Sequence, residues 1–152
     1  RSVEDAEVLF DAGVDRVVMG TAAMEDPPLV GRVAQNGDVV VSLDARDGEV
    51  VVEGWKEGAG VPPVEAARRF EDVGASAFLF TNVDDEGLLD GVSVEPVAEL
   101  VNAVDVPVIA SGGVTTPDDV SALRDAGASG VVIGTAFYEG RMTYDEAVEA
   151  AE

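Results

Sequence analysis

Short runs of β-branched and aliphatic residues alternate with amphipathic stretches along the whole chain. The runs are Arg16–Gly20, Val39–Asp44, Ala77–Thr81, Pro107–Ser111 and Gly130–Gly134, and each is almost continuously apolar. Runs of this kind, without in–out alternation, are expected of strands in a parallel sheet covered on both faces. The stretches between them place apolar residues at helical spacing over Val3–Ala12, Pro27–Gln35, Pro63–Val73, Val94–Ala103, Pro117–Ala126 and Tyr144–Ala151. Ser2 ahead of Glu4-Asp5, and Thr116-Pro117 ahead of Asp118, provide hydroxyl N-caps followed by acids. Gly13, Gly74 and Gly127 stand where helices end in a left-handed residue.

Helix–strand alternation at this spacing means βα units joined by right-handed crossovers, which leaves an open doubly wound sheet or a closed eight-stranded barrel. An internal repeat separates the two. Val14–Ala22 (VDRVVMGTA) matches Ala128–Ala136 (ASGVVIGTA), Asp11-Ala12-Gly13 matches Asp125-Ala126-Gly127 at the same offset, and Ser2 falls on Thr116. Two helix–strand–GTA units about four βα units apart imply a barrel of two similar halves. The expected fold is therefore α/β, a (β/α)8 TIM barrel, present here as one partial barrel domain over residues 1–152 with about five parallel strands. The chain opens inside a helical stretch and without a methionine. It reads as strands four to eight, and the missing N-terminal part of the barrel is then a possible partner.

Composition narrows the chemistry. The 152 residues contain no cysteine and no histidine, so thiolate nucleophiles, histidine triads and Cys/His metal sites are excluded. Proton transfer near neutral pH must fall to carboxylates. No apolar run approaches the ~18–20 residues that span a bilayer. There are 31 acidic residues against 9 basic ones, a net charge of −22, and Lys56 is the only lysine. Nucleic acid and anionic membranes are implausible partners for such a surface, because phosphate binding draws on Lys and Arg. The acids are spread over every expected helix rather than gathered in one tail (Glu4, Asp5 and Glu7; Glu65, Glu71 and Asp72; Asp118, Asp119 and Asp125). Either the protein works in a salt-rich cytoplasm, where repulsion is screened, or it is an unusually acidic protein of ordinary cells.

In a barrel the site lies at the C-terminal ends of the strands. Those ends read Gly20-Thr21-Ala22, Asp44-Ala45-Arg46, Thr81-Asn82, Ser111-Gly112-Gly113 and Gly134-Thr135-Ala136. Glycines there let backbone N–H groups approach an anion closely. Ser111, Gly112 and Gly113 with Gly134 and Thr135 would make one phosphate cradle, and Gly20 with Thr21 half of a second. The plainer reading of each GTA is a tight turn. Asp44 follows an apolar run, and a carboxylate desolvated in the barrel mouth acquires a pKa in the general-acid range. The alternatives are a helix cap or an ion pair with Arg46. Trp55, the only tryptophan, sits in a polar glycine-rich segment. It suits stacking on a flat ligand, or else a clamp over a neighbouring helix.

The segments VVSLDARDG (Val40–Gly48), Gly54-Trp55, Thr81 with Asp84–Gly87, PVIASGGV (Pro107–Val114) and VIGTAFYEG (Val132–Gly140) together resemble the phosphoribosylformimino-AICAR isomerase family of histidine biosynthesis. The resemblance runs the length of the chain, in order and with compatible spacing. It implies an Amadori rearrangement of an aminoaldose to an aminoketose, on a substrate with a phosphoribosyl group at each end, without metal or organic cofactor. By that resemblance Asp44 is the general acid that protonates the ribose ring oxygen, and Thr81 is a hydroxyl near the reacting sugar. Trp55 stacks on substrate, while Gly20, Thr21, Gly112, Gly113, Gly134 and Thr135 hold the two phosphates. Arg1, Arg46, Ser111 and Glu86 are further substrate-binding candidates, Arg1 because it follows the place of the family's third-strand glycine loop.

There are two departures. The family's general base is an aspartate on the first strand, which this sequence does not contain. The segment after Thr81 usually reads close to T-D-I-x-R-D-G, whereas Asn82, Asp85 and Glu86 occur here. Glu86 keeps a carboxylate that is one methylene longer. The rival readings are a bifunctional relative that also isomerises phosphoribosyl anthranilate, the cyclase subunit of imidazole glycerol phosphate synthase, and a non-catalytic phosphate-binding partial barrel. The cyclase shares the barrel and the glycines but not the Gly54-Trp55 segment. The acidic coat carries its own prediction. The melting temperature should rise with potassium chloride into the molar range, where the Debye length falls to about 3 Å. A flat or falling dependence would remove the salt-adapted reading.

Overall fold

The computed structural model describes residues 1–51, 60–84 and 91–152. In chain order the elements are α1 (Val3–Asp11), β1 (Arg16–Met19), α2 (Thr21–Glu25), α3 (Pro27–Val33), β2 (Asp38–Arg46), β3 (Glu49–Val51) and α4 (Pro63–Asp72). They continue with β4 (Ala77–Asn82), α5 (Val94–Ala103), β5 (Val108–Ser111), α6 (Pro117–Asp125), β6 (Gly130–Val132), α7 (Thr135–Tyr138) and α8 (Tyr144–Ala151). The five expected strands and six expected helices are all present, with ends shifted by a residue or two. The short β3, α2 and α7 were not expected.

The sheet runs β1-β2-β4-β5-β6 in sequence order with every neighbour parallel, and β3 is folded back antiparallel on β2. No strand order reversal occurs, which is the pattern of a barrel wall rather than a doubly wound sheet. The helices form one layer in which neighbours in sequence touch: α4 with α5, α5 with α6, and α6 with α8. Against that layer the sheet presents Val17, Val39, Val41, Leu43, Phe78, Phe80, Val108 and Ala110, all buried. From the helices come Val30, Val33, Ala67, Phe70, Val97, Leu100, Val120 and Leu123. Each fully buried large aliphatic or aromatic side chain is worth roughly 1.5–3 kcal/mol of transfer free energy, so this single interface carries most of the stability.

The opposite face corrects one expectation. The strands are not covered on both sides along the whole sheet: Val18 on β1 and Val132 on β6 are 60% and 47% exposed. Five parallel strands do not close on themselves, so the apolar side chains of the two edge strands lack a facing strand. Toward the middle, Val40 and Ala77 are buried by their neighbours.

Local chemistry sets the helix ends. Ser2 and Thr116 accept from the backbone N–H groups of Asp5 and Asp119, whose carboxylates bond back to the cap residues. Thr143 and Glu146 form a third such box, which the sequence reading had passed over. The Thr143 backbone N–H and then its hydroxyl hold Glu146 below the ordinary glutamate range. That contribution is present at neutral pH and is lost as pH falls through the lowered value. Gly13, Gly74 and Gly127 all have φ near the left-handed region expected of them. At Gly127 a Cβ would also meet Val101 Cγ1 at 2.8 Å, so glycine there lets α5 and α6 approach closely. Replacing Thr116 by Ala removes the acceptor for the first turn of α6 and should cost about 1 kcal/mol, while Thr116→Ser should be near neutral. Urea unfolding of the two variants checks the difference.

Candidate active site

Parallel register gathers the polar strand ends. Asp44 on β2 pairs with Thr81 on β4, Thr81 pairs with Ser111 on β5, and Ser111 pairs with Val132 on β6. A carboxylate and two hydroxyls therefore lie in one row across three adjacent strands, on the face turned away from the helices. Ser42, two residues before Asp44, is on the same face, and its hydroxyl lies 3.4 Å from Asp44 Oδ1. Gly20 follows β1 one residue beyond the Met19–Val41 pair.

A cavity of about 370 Å³ opens at the Asp44 end of this row, lined by Gly20, Thr21, Ser42, Asp44, Arg46 and Val51 among others; Thr81 and Ser111 do not line it. Asp44 is exposed in it. The desolvated setting expected of this carboxylate is not provided by these five strands, because the open sheet admits water to the row. Arg46 does not pair with Asp44 either: the ion pairs among the described residues join other groups. Arg46 is the last residue of β2 and shares the cavity wall. Arg1 lies apart, with Gly20 and Thr21 in a second cavity of about 300 Å³ beside the β1 edge.

The glycine ends are not simple turns. Gly20 (φ −108°, ψ −105°) and Gly134 (φ −112°, ψ −93°) have nearly the same backbone conformation, and each opens a short helix beginning with Thr21 or Thr135. The sequence repeat is thus a structural repeat. Gly112 and Gly113 follow β5 with φ of +90° and +74°. A Cβ on Gly112 would meet the Asn82 carbonyl oxygen at 2.8 Å, so only glycine brings this loop against the end of β4. The loop is anchored behind by Asp119, whose Oδ2 accepts from the backbone N–H groups of Thr115 and Thr116 at 2.9 and 2.8 Å. The Thr115 hydroxyl donates to the Gly113 carbonyl at 2.8 Å.

Trp55 and Glu86 lie outside the described residues, and with them the segments that carry them. Sequence reasoning missed the hairpin that precedes Trp55. Asp47 (φ +50°) and Gly48 (φ +78°) form a two-residue turn of the primed kind between the paired Arg46 and Glu49. Asp-Gly after an apolar run was the available signal. Ser42, Val51 and Val83 were missed as lining residues because nothing in their type marks them.

Sequential parallel βα units with one helix layer, and polar residues gathered at the C-terminal strand ends, define the wall of a (β/α)-barrel. Residues 1–143 match the family model described as histidine biosynthesis protein, and the chain belongs to that family. It is 59% identical to the 1-(5-phosphoribosyl)-5-((5-phosphoribosylamino)methylideneamino) imidazole-4-carboxamide isomerase of Halobacterium salinarum, over 100% of this chain and 64% of that protein. It is 58% identical to the isomerase of the same name from Haloarcula marismortui, over 99% of this chain and 62% of that protein. The Methanosarcina mazei isomerase of that name is 48% identical over 99% of this chain and 63% of its own length. The chain thus spans about 62–64% of the length of these relatives.

Proposed function

We propose that these residues form strands four to eight of a barrel that catalyses an aldose–ketose rearrangement, a reading supported by the isomerases to which the chain is similar. The observation that carries the reading is the row Asp44–Thr81–Ser111, flanked by the two repeat-related Gly-Thr ends. An Amadori rearrangement needs a proton delivered to the ribose ring oxygen as the C1–O bond opens. It also needs a proton removed from C2, one returned to C1 and the proton of the C2 hydroxyl released, which leaves the amine on C1 and a carbonyl at C2. Asp44 is the group for the first transfer, and Thr81, its neighbour across the sheet, hydrogen-bonds the opening sugar. The C2 proton requires a second carboxylate, which the family resemblance assigns to a strand outside this sequence. In the completed barrel the facing strands would exclude water from Asp44.

The two phosphates of such a substrate fall to backbone N–H groups. Gly112, Gly113, Gly134 and Thr135 would hold one, and Gly20 and Thr21 with Arg1 the other. Nothing lies within 4 Å of a Cβ built on Gly134, so its position is open to a ligand. Ser111 and Arg46 would line the sugar between them; by the family resemblance Trp55 would stack on the substrate and Glu86 is a further substrate-binding candidate. The activity belongs in the cytoplasm of a salt-accumulating cell, which the acidic composition supports. Taken alone, this chain would bind phosphate without catalysis. The exposure of Asp44 and of the edge residues Val18 and Val132 favours that second reading for the isolated polypeptide.

In the complete barrel, Asp44→Asn keeps the shape and a hydrogen bond but removes the transferable proton. Turnover should fall by about 10²–10⁴-fold with substrate still bound, measured by steady-state kinetics and equilibrium binding. Unchanged turnover would take the general-acid role from Asp44. Trp55→Ala removes stacking area, so KM should rise and kcat fall together in the same assay.

A further inference from the structure

The β2–β3 hairpin overhangs the Asp44 cavity, and one long-range contact fixes where it stands. Arg46, which flanks the hairpin's turn, and Val51, at its base opposite Asp44, both line the cavity. At its tip Asp47 is the only described non-glycine residue with positive φ, so its N–H is turned away from the β2–β3 ladder. That N–H donates to Asp84 Oδ2 at 2.7 Å, across 37 residues of sequence. Asp84 is itself held by its neighbours. Its N–H lies 3.4 Å from Asn82 Oδ1, and the Val83 N–H donates to the Ala45 carbonyl at 2.8 Å. The end of β4 is therefore tied to the end of β2 by a backbone bond, and to the hairpin tip by a carboxylate. On the far side Val50 donates to the Val61 carbonyl at 2.9 Å, closing the base of the segment that contains Trp55.

We infer that Asp84 is a positioning residue: its carboxylate latches the β2–β3 hairpin and so sets the cavity wall that receives the substrate's sugar. This deepens the isomerase reading and rests on it. Asp44 pairs with Thr81 of the parallel sheet on one side and with Val51 at the base of the hairpin on the other, so the parallel pairing keeps it in place when the latch opens. Arg46, next to the turn, moves with the hairpin tip. Loss of the latch therefore weakens binding while leaving the proton-transfer step intact, which separates Asp84 from Asp44 kinetically. A hydrogen bond to a charged acceptor is among the stronger ones, so the effect is measurable although both groups are exposed.

The test compares Asp84→Ala, Asp84→Asn and Asp44→Asn in the full-length protein. Asp84→Ala should raise KM about three- to tenfold with kcat within about twofold, and Asp84→Asn, whose amide oxygen still accepts, should restore KM. In this chain, amide hydrogen exchange should show the Asp47 N–H protected, exposed in Asp84→Ala and protected again in Asp84→Asn. An unchanged KM in Asp84→Ala, a loss confined to kcat, or no change in Asp47 exchange would each overturn the latch. If Asp44→Asn retains full turnover, the assignment of the general acid fails, and the exchange result still decides whether the latch exists.

Discussion

Parallel pairing of β2 with β4 is the constraint on which everything else in this chain depends. Six residue pairs from Val40–Ala77 to Ala45–Asn82 lock the two strands, which are the inner part of the sheet. The same register buries Val39, Val41, Leu43, Phe78 and Phe80 against the helices and sets Asp44 beside Thr81 on the other face. A slip of one residue would turn Phe78 and Phe80 toward the cavity and Thr81 into the helix layer. The burial of those aromatic rings thus enforces the juxtaposition of the two polar groups. The chemistry is positioned by hydrophobic free energy spent on the opposite side of the sheet.

The internal repeat shows how much of a residue's environment comes from its neighbours rather than its own unit. Ala6 and Leu9 on α1 correspond to Val120 and Leu123 on α6. Leu123 is fully buried, whereas Leu9 is 47% exposed. Capping box, strand and glycine end are alike in the two units, so local sequence has produced the same local structure twice. What differs is the helices alongside: α6 is packed between α5 and α8, while α1 packs chiefly against α3. Helix formation here is local, and core formation is collective.

That division explains what was legible in the sequence. Strands rich in β-branched residues, hydroxyl caps and terminal glycines are local signals, and they gave the element order, the parallel sheet and the row of strand ends. The repeat was enough to choose a barrel over a doubly wound sheet before any register was known. The helices opened by Thr21 and Thr135 were hidden because five- and four-residue elements leave no periodicity to read. The exposure of Asp44 was not legible either, because a strand's hydropathy says how apolar its residues are and not what faces them. Asp84 escaped for a third reason: its partner is a backbone N–H on another hairpin, and no pattern of residue types reports such a contact.

An acidic surface and the anionic substrate proposed above would be in electrostatic conflict. Of the arginines, Arg32, Arg69, Arg124 and Arg141 are paired with Asp26, Glu65, Asp125 and Glu139, so their charge is largely answered on the surface. Only Arg1 and Arg46 line the two cavities at the strand ends. In dilute buffer a net charge of −22 would repel a bisphosphate over long distances. Salt at about 1 M confines that repulsion to about 3 Å. Backbone N–H groups such as those proposed at Gly20, Gly112, Gly113 and Gly134 would act within hydrogen-bond distance, where screening has little effect. Under the proposed function, recognition by glycine backbone rather than by lysine-rich patches would suit concentrated salt: the attraction is short-ranged while the solvent removes the long-ranged penalty, so an acidic composition is compatible with binding a small phosphorylated sugar.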